Sequence, residues 1–266
     1  MPETLIVERA EGIVTVTMNR PERKNAANDV MWNELLDTFR EVAANPADRV
    51  LVITGAGGAF CSGADVGGMQ NRGEGGDDDG PRAHSLDRMR FIAEVATALH
   101  QVPQPTIAKV RGIAAGAGMN IALLCDLVVA SDNARFSEIF ARRGLTLDFG
   151  GSWILPRRVG LHRAKELALF ADIIDADEAD RIGLVNRVVS DGELDAFVDD
   201  WAARLAGQAP IAIAQSKRLL NAASTSSLAE ALDAEGAAQS INFTTRDTAE
   251  AVNAFLEKRQ PTFRGY

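Results

Sequence analysis

The sequence has few of the residues that support a disulfide-rich, metal-binding or membrane-spanning protein. Only two cysteines and three histidines occur among its 266 residues, and neither a Cys-x-x-Cys pair nor metal-ligand spacing of histidines is present. No run of roughly 18 apolar residues predicts a membrane span, and the first residues lack the basic start and apolar stretch of a secretory signal. We therefore expect a cytoplasmic protein with reduced thiols, and no metal or redox cofactor is implied.

Two common catalytic motifs are also absent. No Gly-Lys-Ser/Thr follows the glycine-rich stretch 55–58, so the chain lacks a phosphate-binding P-loop. Segment 60–63, Phe-Cys-Ser-Gly, lacks the flanking glycines of a nucleophile elbow, and Cys61 is interpreted as a small buried thiol. The formal net charge of −9 disfavours nucleic acid as a partner, because phosphate backbones bind to basic surfaces.

The hydrophobic pattern divides the chain into an alternating α/β body and an all-helical tail. Strands are predicted over 5–9, 13–18, 50–54, 106–110 and 127–130. Helices are predicted over 86–99 and 116–125, and a further helix is capped by Asn28 or Asp29 and runs to about residue 44. Four further helices are predicted over 193–205, 211–223, 228–240 and 245–258, with no strand between them. We therefore assign residues 1–192 to the α/β body and 193–266 to a helical region.

Segment 66–81 differs in composition from the rest of the chain. It is rich in glycine and aspartate and has almost no apolar residue. We interpret it as a mobile loop. The sequence leaves open whether this loop is a solvated insertion without a role or a lid over a binding site.

Two segments of small residues follow predicted strands and share a physical property. They are 58–66, Gly-Ala-Phe-Cys-Ser-Gly-Ala-Asp-Val, and 111–118, Arg-Gly-Ile-Ala-Ala-Gly-Ala-Gly. Small side chains leave main-chain N–H groups accessible to a ligand, and the second segment also begins a helix, whose first N–H groups lack internal partners. Two such groups that converge on one thioester carbonyl would form an oxyanion hole.

Together with further motifs in the same order, these segments resemble the enoyl-CoA hydratase/isomerase (crotonase) family along nearly the whole chain. The motifs are Asn19-Arg20-Pro21 with Asn25-Ala26, Gly63-Ala64-Asp65, Gly116-Ala117-Gly118 leading into Cys125-Asp126, Gly144-Leu145, Gly150-Gly151, Leu155-Pro156-Arg157 and Gly183-Leu184-Val185. The resemblance implies an α/β fold, a spiral of ββα turns, followed by a helical trimerisation region. It also implies a homotrimer or a dimer of trimers.

The resemblance further implies a coenzyme A thioester as substrate, so that CoA enters with the substrate and no separate cofactor is needed. It assigns the oxyanion hole to the main-chain N–H groups of Ala64 and Ala117. The residues that it places around the CoA groove are Arg23, Lys24, Ala26, Ser62, Gly63, Ala64, Asp65, Val66, Gly116 and Phe140. The alternative for Lys24 is a solvated surface lysine.

The two glutamates with which hydratases of this family activate water do not occur at the matching positions. Asn120 and Phe140 stand there instead, and neither side chain can take up and deliver a proton. Glu138 could replace the second glutamate only in a shifted alignment, which would move Gly144 and Gly150-Gly151 out of register. Hydration by the usual pair is therefore disfavoured.

Asp148 is the remaining acid in this part of the sequence. In family members that move double bonds, an aspartate at this place shuttles a proton, and the Gly-Ala-Gly-x-Asn stretch is similar to that of the isomerases of phenylacetate breakdown. We expect burial among Phe140, Phe149 and Trp153 to raise the pKa of Asp148. Asn120 would orient the carboxylate or the substrate.

Four alternatives stay open at this point. Asp148 could instead cap a helix that begins near Gly150, or act as a nucleophile on an aryl ring, as in the related dehalogenases. The chain could be a hydratase that uses Glu138 or another acid. It could also be a catalytically idle CoA-ester-binding or assembly subunit, which the loss of both glutamates would favour. The acyl chain of the substrate does not follow from the sequence.

Overall fold

The computed structural model describes residues 4–65, 67 and 85–266. The Gly/Asp segment 66–81 lies outside the described residues, except for residue 67. This segment includes Val66, which the sequence places at the CoA groove. The interpretation of this segment as an insertion or a lid is therefore not tested by the structure.

The described strands form two sheets. The larger has the order β1 (Leu5–Ala10), β2 (Ile13–Met18), β3 (Val50–Gly55), β4 (Thr106–Val110), β6 (Leu127–Ser131) and β9 (Arg187–Val189). Its first pair is antiparallel and all later pairs are parallel. The smaller sheet has the order β5 (Ile113–Ala115), β7 (Arg135–Ser137) and β8 (Ile174–Asp175). It lies beside the large sheet because the short connection 111–112 joins β4 to β5.

The helices follow the strands in the alternation that the sequence predicts. They are α1 (Asp29–Ala44), α2 (Ser85–Gln101), α3 (Ala117–Leu124), α4 (Gly151–Phe170), α5 (Ala176–Arg181), α6 (Leu194–Ala206), α7 (Pro210–Ala222), α8 (Leu228–Phe243) and α9 (Arg246–Glu257). The N-terminus of α1 is capped by Asn28, whose side chain accepts a hydrogen bond from the Met31 N–H at 2.9 Å. The predicted helices and strands are confirmed, with ends that differ by a few residues.

Both faces of the large sheet are covered, which explains the continuous apolar run in β3. Leu51 and Ile53 belong to the main core with α1, α2 and α3, while Val50 and Val52 pack with α6 on the other face. Strands buried on both faces lack the polar alternation of one-sided sheets. The prediction of a buried thiol at Cys61 is confirmed, and burial raises the pKa of that thiol to about 11.

The C-terminal helices bury little apolar surface within the single chain. In the described part of the chain no strand follows β9, α7 buries none of its residues, and α8 buries only Ala238. Several large apolar side chains of this region are exposed, namely Leu220, Leu228, Leu232, Ile241, Phe243, Val252, Phe255 and Leu256. The division at residue 193 and the trimer or dimer of trimers remain predictions. Among the described helices, none has the length and apolar character needed to cross a membrane.

Candidate active site

The two small-residue segments predicted from the sequence lie side by side. Cys61 forms a parallel bridge with Ala114, and its carbonyl accepts a hydrogen bond from the Ala115 N–H at 2.9 Å. The first turn of α3 then passes directly over this carbonyl. A Cβ atom at Gly118 would lie 2.2 Å from the Cys61 oxygen, so this close approach requires glycine.

The N–H groups of Ala64 and Ala117 remain available at this junction. Gly63 has a φ of 102°, and a Cβ atom on it would lie 3.8 Å from the Ala117 nitrogen. Ala117 is the first residue of α3, where a helical N–H has no partner within the helix. Among the hydrogen bonds of the described residues, none is donated by the Ala64 or Ala117 N–H group. The structure therefore places the Ala64 turn close to the start of α3, an arrangement that an oxyanion hole requires.

The segments expected to line the CoA groove pair with each other. The Ser62 N–H donates to the Lys24 carbonyl at 3.0 Å, and the Ala27 N–H donates to the Gly63 carbonyl at 2.8 Å. The Asp65 N–H donates back to the Ala27 carbonyl at 2.9 Å. The chain thus holds residues 23–27 and 62–65 side by side at the turn that contains Ala64.

Arg20 and Asn25 fix the shape of this pair of segments, which explains the Asn-Arg-Pro and Asn-Ala motif. The buried Asn25 side chain accepts from the Arg20 N–H at 2.9 Å and donates to the Ala56 and Ala59 carbonyls, each at 2.8 Å. The Arg20 guanidinium lies 2.8 Å from the Asp65 carboxylate and lowers the pKa of that carboxyl. Asp65 therefore supports the turn through Arg20.

Arg23 and Lys24 lie on the exposed side of these paired segments. Lys24 has a φ of 49°, which ends the short 3-10 helix Pro21–Arg23. Neither side chain forms an ion pair within the described ranges. Exposed cations can attract the phosphates of a CoA ester, and the contribution of Arg23 and Lys24 to CoA binding stays a prediction.

Asp148 is half-buried between the 3-10 helix Ile139–Arg143 and α4. Its Oδ1 atom is buried and has no hydrogen-bond partner among the described residues, and burial raises the pKa of the carboxyl to about 6. Gly150 is the N-cap of α4, with no side-chain capping bond. The capping alternative for Asp148 is therefore wrong.

The residue after Asp148 has a strained main chain that is held by aromatic stacking. Phe149 has a φ of 47°, which is costly for a large side chain. Its ring stacks on Trp32 of α1 with centroids 5.3 Å apart, and both side chains are buried. The sequence does not indicate this role for Trp32, because a tryptophan on the apolar face of a helix looks like any other core residue.

The other two aromatic residues expected around Asp148, Phe140 and Trp153, have different neighbours from each other. Phe140 is buried beside the oxyanion turn, where its Cζ atom would lie 3.6 Å from a Cβ atom on Gly116. The Trp153 ring contacts His100 at 5.1 Å and carries the Arg157 guanidinium at 4.0 Å. Phe140 therefore lies beside Gly116, the N-cap of α3. The Trp153 ring contacts His100 of α2 and Arg157 of α4.

Asn120 and Glu138 form a buried polar cluster next to Asp148. The Asn120 Nδ2 group donates to the Asp148 main-chain carbonyl at 3.0 Å and to the Glu138 Oε2 atom at 3.4 Å. The Asn120 amide therefore binds the main chain of Asp148 and not its carboxylate, and an orienting role of Asn120 towards the carboxylate or the substrate stays a prediction. Glu138 has no exposed surface, whereas Asp148 is partly exposed.

Burial raises the pKa of Glu138 to about 8; the hydrogen bond from Asn120 opposes this shift and the nearby charge of Asp148 adds to it. Glu138 Oε1 and Asn120 Oδ1 are buried without a hydrogen-bond partner in the described part of the chain, as Asp148 Oδ1 is. At neutral pH the cluster therefore holds one largely ionised carboxyl, Asp148, and one largely neutral carboxyl, Glu138.

Comparisons with known proteins agree along the whole chain. A family model described as enoyl-CoA hydratase/isomerase matches residues 8–266. The 1,2-epoxyphenylacetyl-CoA isomerase of Escherichia coli (strain K12) is 36% identical over 266 residues, covering 100% of both chains. The crotonyl-CoA hydratase of Syntrophomonas wolfei is 36% identical over 265 residues, covering 98% of each chain. A crystal structure of an enoyl-CoA hydratase from Bacillus anthracis has a TM-score of 0.90 at 30% identity, covering 99% of this chain and 100% of that chain.

Proposed function

Because the chain belongs to the enoyl-CoA hydratase/isomerase family, we propose that this acyl-CoA enzyme shifts a double bond in an enoyl-CoA thioester with Asp148 as acid–base. The α/β body with a C-terminal helical region is the crotonase fold expected from the motifs. The observation that carries the proposal is the half-buried Asp148 carboxyl, with an unpartnered oxygen and a pKa raised to about 6. A group with a pKa near the working pH can both remove a proton and return it.

The proposed reaction needs one carboxylate and one oxyanion hole. The N–H groups of Ala64 and Ala117 donate to the thioester oxygen, while Asp148 removes a proton from C2 of a 3-enoyl-CoA. The C–H electron pair forms a C1–C2 double bond, and negative charge collects on the thioester oxygen of the resulting dienolate. When this charge returns, Asp148 gives the same proton to C4, and the double bond lies between C2 and C3. The step consumes neither water nor a cofactor.

Hydration is the second candidate, because relatives include a crotonyl-CoA hydratase and a second carboxyl, Glu138, lies close to Asp148. Addition of water needs one group to activate the water and one to protonate carbon. The complete burial of Glu138 supports the isomerase assignment, since only Asp148 is partly exposed in this cluster.

The two reactions give opposite optical signals. Isomerisation of a 3-enoyl-CoA creates a conjugated thioester and raises its ultraviolet absorbance, whereas hydration of crotonyl-CoA removes conjugation and lowers it. We expect an increase with the 3-enoyl substrate and little change with crotonyl-CoA. Turnover of crotonyl-CoA alone would overturn the isomerase proposal in favour of hydration. A ring-epoxide CoA ester belongs in the same panel, because one relative is named for such a substrate.

The Asp148→Asn variant tests the residue. It keeps the size and the main-chain bonds of Asp148 but cannot accept the proton, so kcat should fall by about 10²- to 10⁴-fold while KM stays within about threefold. Asp172→Asn is the matched control, since this exposed carboxylate pairs with Arg142 at the surface and its loss should leave kcat unchanged. Full turnover by Asp148→Asn would remove this residue from the mechanism.

A further inference from the structure

We propose that Glu138 is a positioning residue that acts through Asn120 to hold Asp148 in its active geometry, an inference that rests on the proposed isomerase function. The Asn120 amide connects the two acids, because its Nδ2 group donates to Glu138 Oε2 at 3.4 Å and to the Asp148 carbonyl at 3.0 Å. Glu138 and Asn120 are both fully buried. A buried amide with two acceptors is held in one orientation, whereas an amide that loses one of them leaves a costly unpaired donor.

The Asn120 amide lies close to a second donor to the Asp148 carbonyl. It lies against the first residue of α4, where a Cβ atom on Gly151 would be 2.5 Å from Nδ2 and 2.8 Å from Oδ1. The Gly151 N–H also donates to the Asp148 carbonyl at 2.9 Å. The carbonyl of Asp148 therefore has two donors, and the amide donor is itself fixed by Glu138. If the Glu138 acceptor is lost, the Asn120 amide can turn and release the main chain next to the base.

The protonation state of Glu138 sets how much negative charge lies beside Asp148. Burial and the charge of Asp148 both raise its pKa, to about 8, so at neutral pH one negative charge faces the substrate. Ionisation of Glu138 would place a second charge beside Asp148 and oppose the charge that develops on the dienolate. We therefore expect activity to decline above about pH 8.

Other charged groups on the surrounding elements are occupied away from this cluster. α3 carries none, and Asp148 acts on Glu138 from the segment before α4. On the 3-10 helix Ile139–Arg143, Arg142 pairs with Asp172 at the surface and Arg143 is exposed. Among the remaining cations, Arg157 lies over Trp153, Arg158 donates to the Leu123 and Cys125 carbonyls, and the exposed Arg135 donates to the Ala134 carbonyl. Further along α4, His162 and Lys165 are exposed and Arg163 pairs with Glu166. An alkaline decline is therefore assigned to Glu138.

Two substitutions at Glu138 separate its functions. Glu138→Gln keeps an oxygen acceptor for the Asn120 amide but cannot ionise, while Glu138→Met keeps the volume and loses the acceptor. Ser137→Ala is the matched control, since it removes a buried hydrogen bond, to the Ala171 carbonyl at 3.2 Å, from the neighbouring residue. Each variant is measured for kcat and KM on a 3-enoyl-CoA from pH 5 to 10 and for thermal unfolding by circular dichroism.

We expect Glu138→Met to lower kcat at least tenfold with KM within about twofold of the parent, and Ser137→Ala to leave kcat unchanged. Glu138→Gln should keep kcat at pH 7 within about threefold and lose the decline above about pH 8. A folded Glu138→Met variant with the kcat of Ser137→Ala would overturn the proposal.

If Glu138→Met does not fold, the pH profile of Glu138→Gln decides. A decline that persists unchanged in this variant would refute the role, and its loss would support it. Asp148→Asn separates this inference from the function on which it rests. Full turnover by Asp148→Asn means that the acid–base assignment has failed. Loss of turnover there, combined with an unaffected Glu138→Met, means that only the positioning role has failed.

Discussion

Gly118 gives the sharpest test of how closely the two oxyanion turns must pack. A Cβ atom there would lie 2.2 Å from the Cys61 carbonyl oxygen and 2.7 Å from the Cys61 Cβ atom, whereas ordinary contacts begin near 3.4 Å. The turn at 61–64 or the start of α3 would therefore have to move by roughly 1 Å. Because residue 118 lies within α3, the effect of Gly118→Ala is steric rather than conformational.

This displacement acts on the two proposed oxyanion donors, Ala64 and Ala117, which lie next to the contact. A misplacement of about 1 Å in a reacting geometry costs on the order of 10²-fold in rate, similar to the loss of one oxyanion donor. We therefore expect the kcat of Gly118→Ala to fall about 10²-fold. Overpacking should also lower the free energy of unfolding by about 1–3 kcal/mol.

The assay measures kcat on a 3-enoyl-CoA together with chemical unfolding. Gly236→Ala in α8 is the matched control, since a Cβ atom there meets nothing within 4 Å. In a helix this change should raise the free energy of unfolding by up to about 1 kcal/mol and leave kcat unaltered. A folded Gly118→Ala variant with kcat within about twofold of the parent would refute the close packing of an oxyanion hole at this junction.

Three further predictions concern the base, the CoA groove and the aromatic stack. Burial raises the pKa of Asp148 to about 6, and the carboxyl must be ionised to act as a base. Below that pH, kcat/KM should therefore fall about tenfold per pH unit. A flat profile of kcat/KM from pH 4 to 7 would contradict this. Replacing both Arg23 and Lys24 with Ala should raise KM for CoA esters several-fold at low salt with little change in kcat. An unchanged KM would show that Arg23 and Lys24 are solvated surface residues that do not bind CoA. Trp32→Leu should lower kcat about tenfold because Phe149 loses its stacking partner, and wild-type kcat would show that the stack does not hold the base.

The sequence predicts the fold best where the residue pattern is long and regular. β2 alternates between buried and partly buried residues over Ile13–Met18, and α1 has both a capping residue and a continuous apolar face, so local pattern alone identifies them. The strands of the smaller sheet have only two or three residues. Such strands are too short for a period to be recognised, and they exist because the chain returns to the same place after each turn of the spiral.

The candidate site divides in the same way. The Ala64 and Ala117 turns are recognisable because small residues and a helix start are local features, and the family motifs link them. Trp32 and Glu138 are not recognisable from local pattern, since their roles depend on which residues tertiary packing brings beside them. In the sequence Glu138 looks like a catalytic acid two residues out of register, whereas the structure buries it beside Asn120.

The proposed reaction class depends on how exposed each acid is, and not on how many acids are nearby. The charge of Asp148 raises the pKa of Glu138, so the two carboxyls lie close together. Their proximity alone could also support a two-carboxyl hydratase. Addition of water, however, requires two groups that reach the substrate, and Glu138 is completely buried. A 1,3-shift requires only the partly exposed Asp148. In the proposed mechanism, a second acid that stays buried and neutral leaves a single charge beside the dienolate, as proton transfer between two carbons by one carboxylate requires.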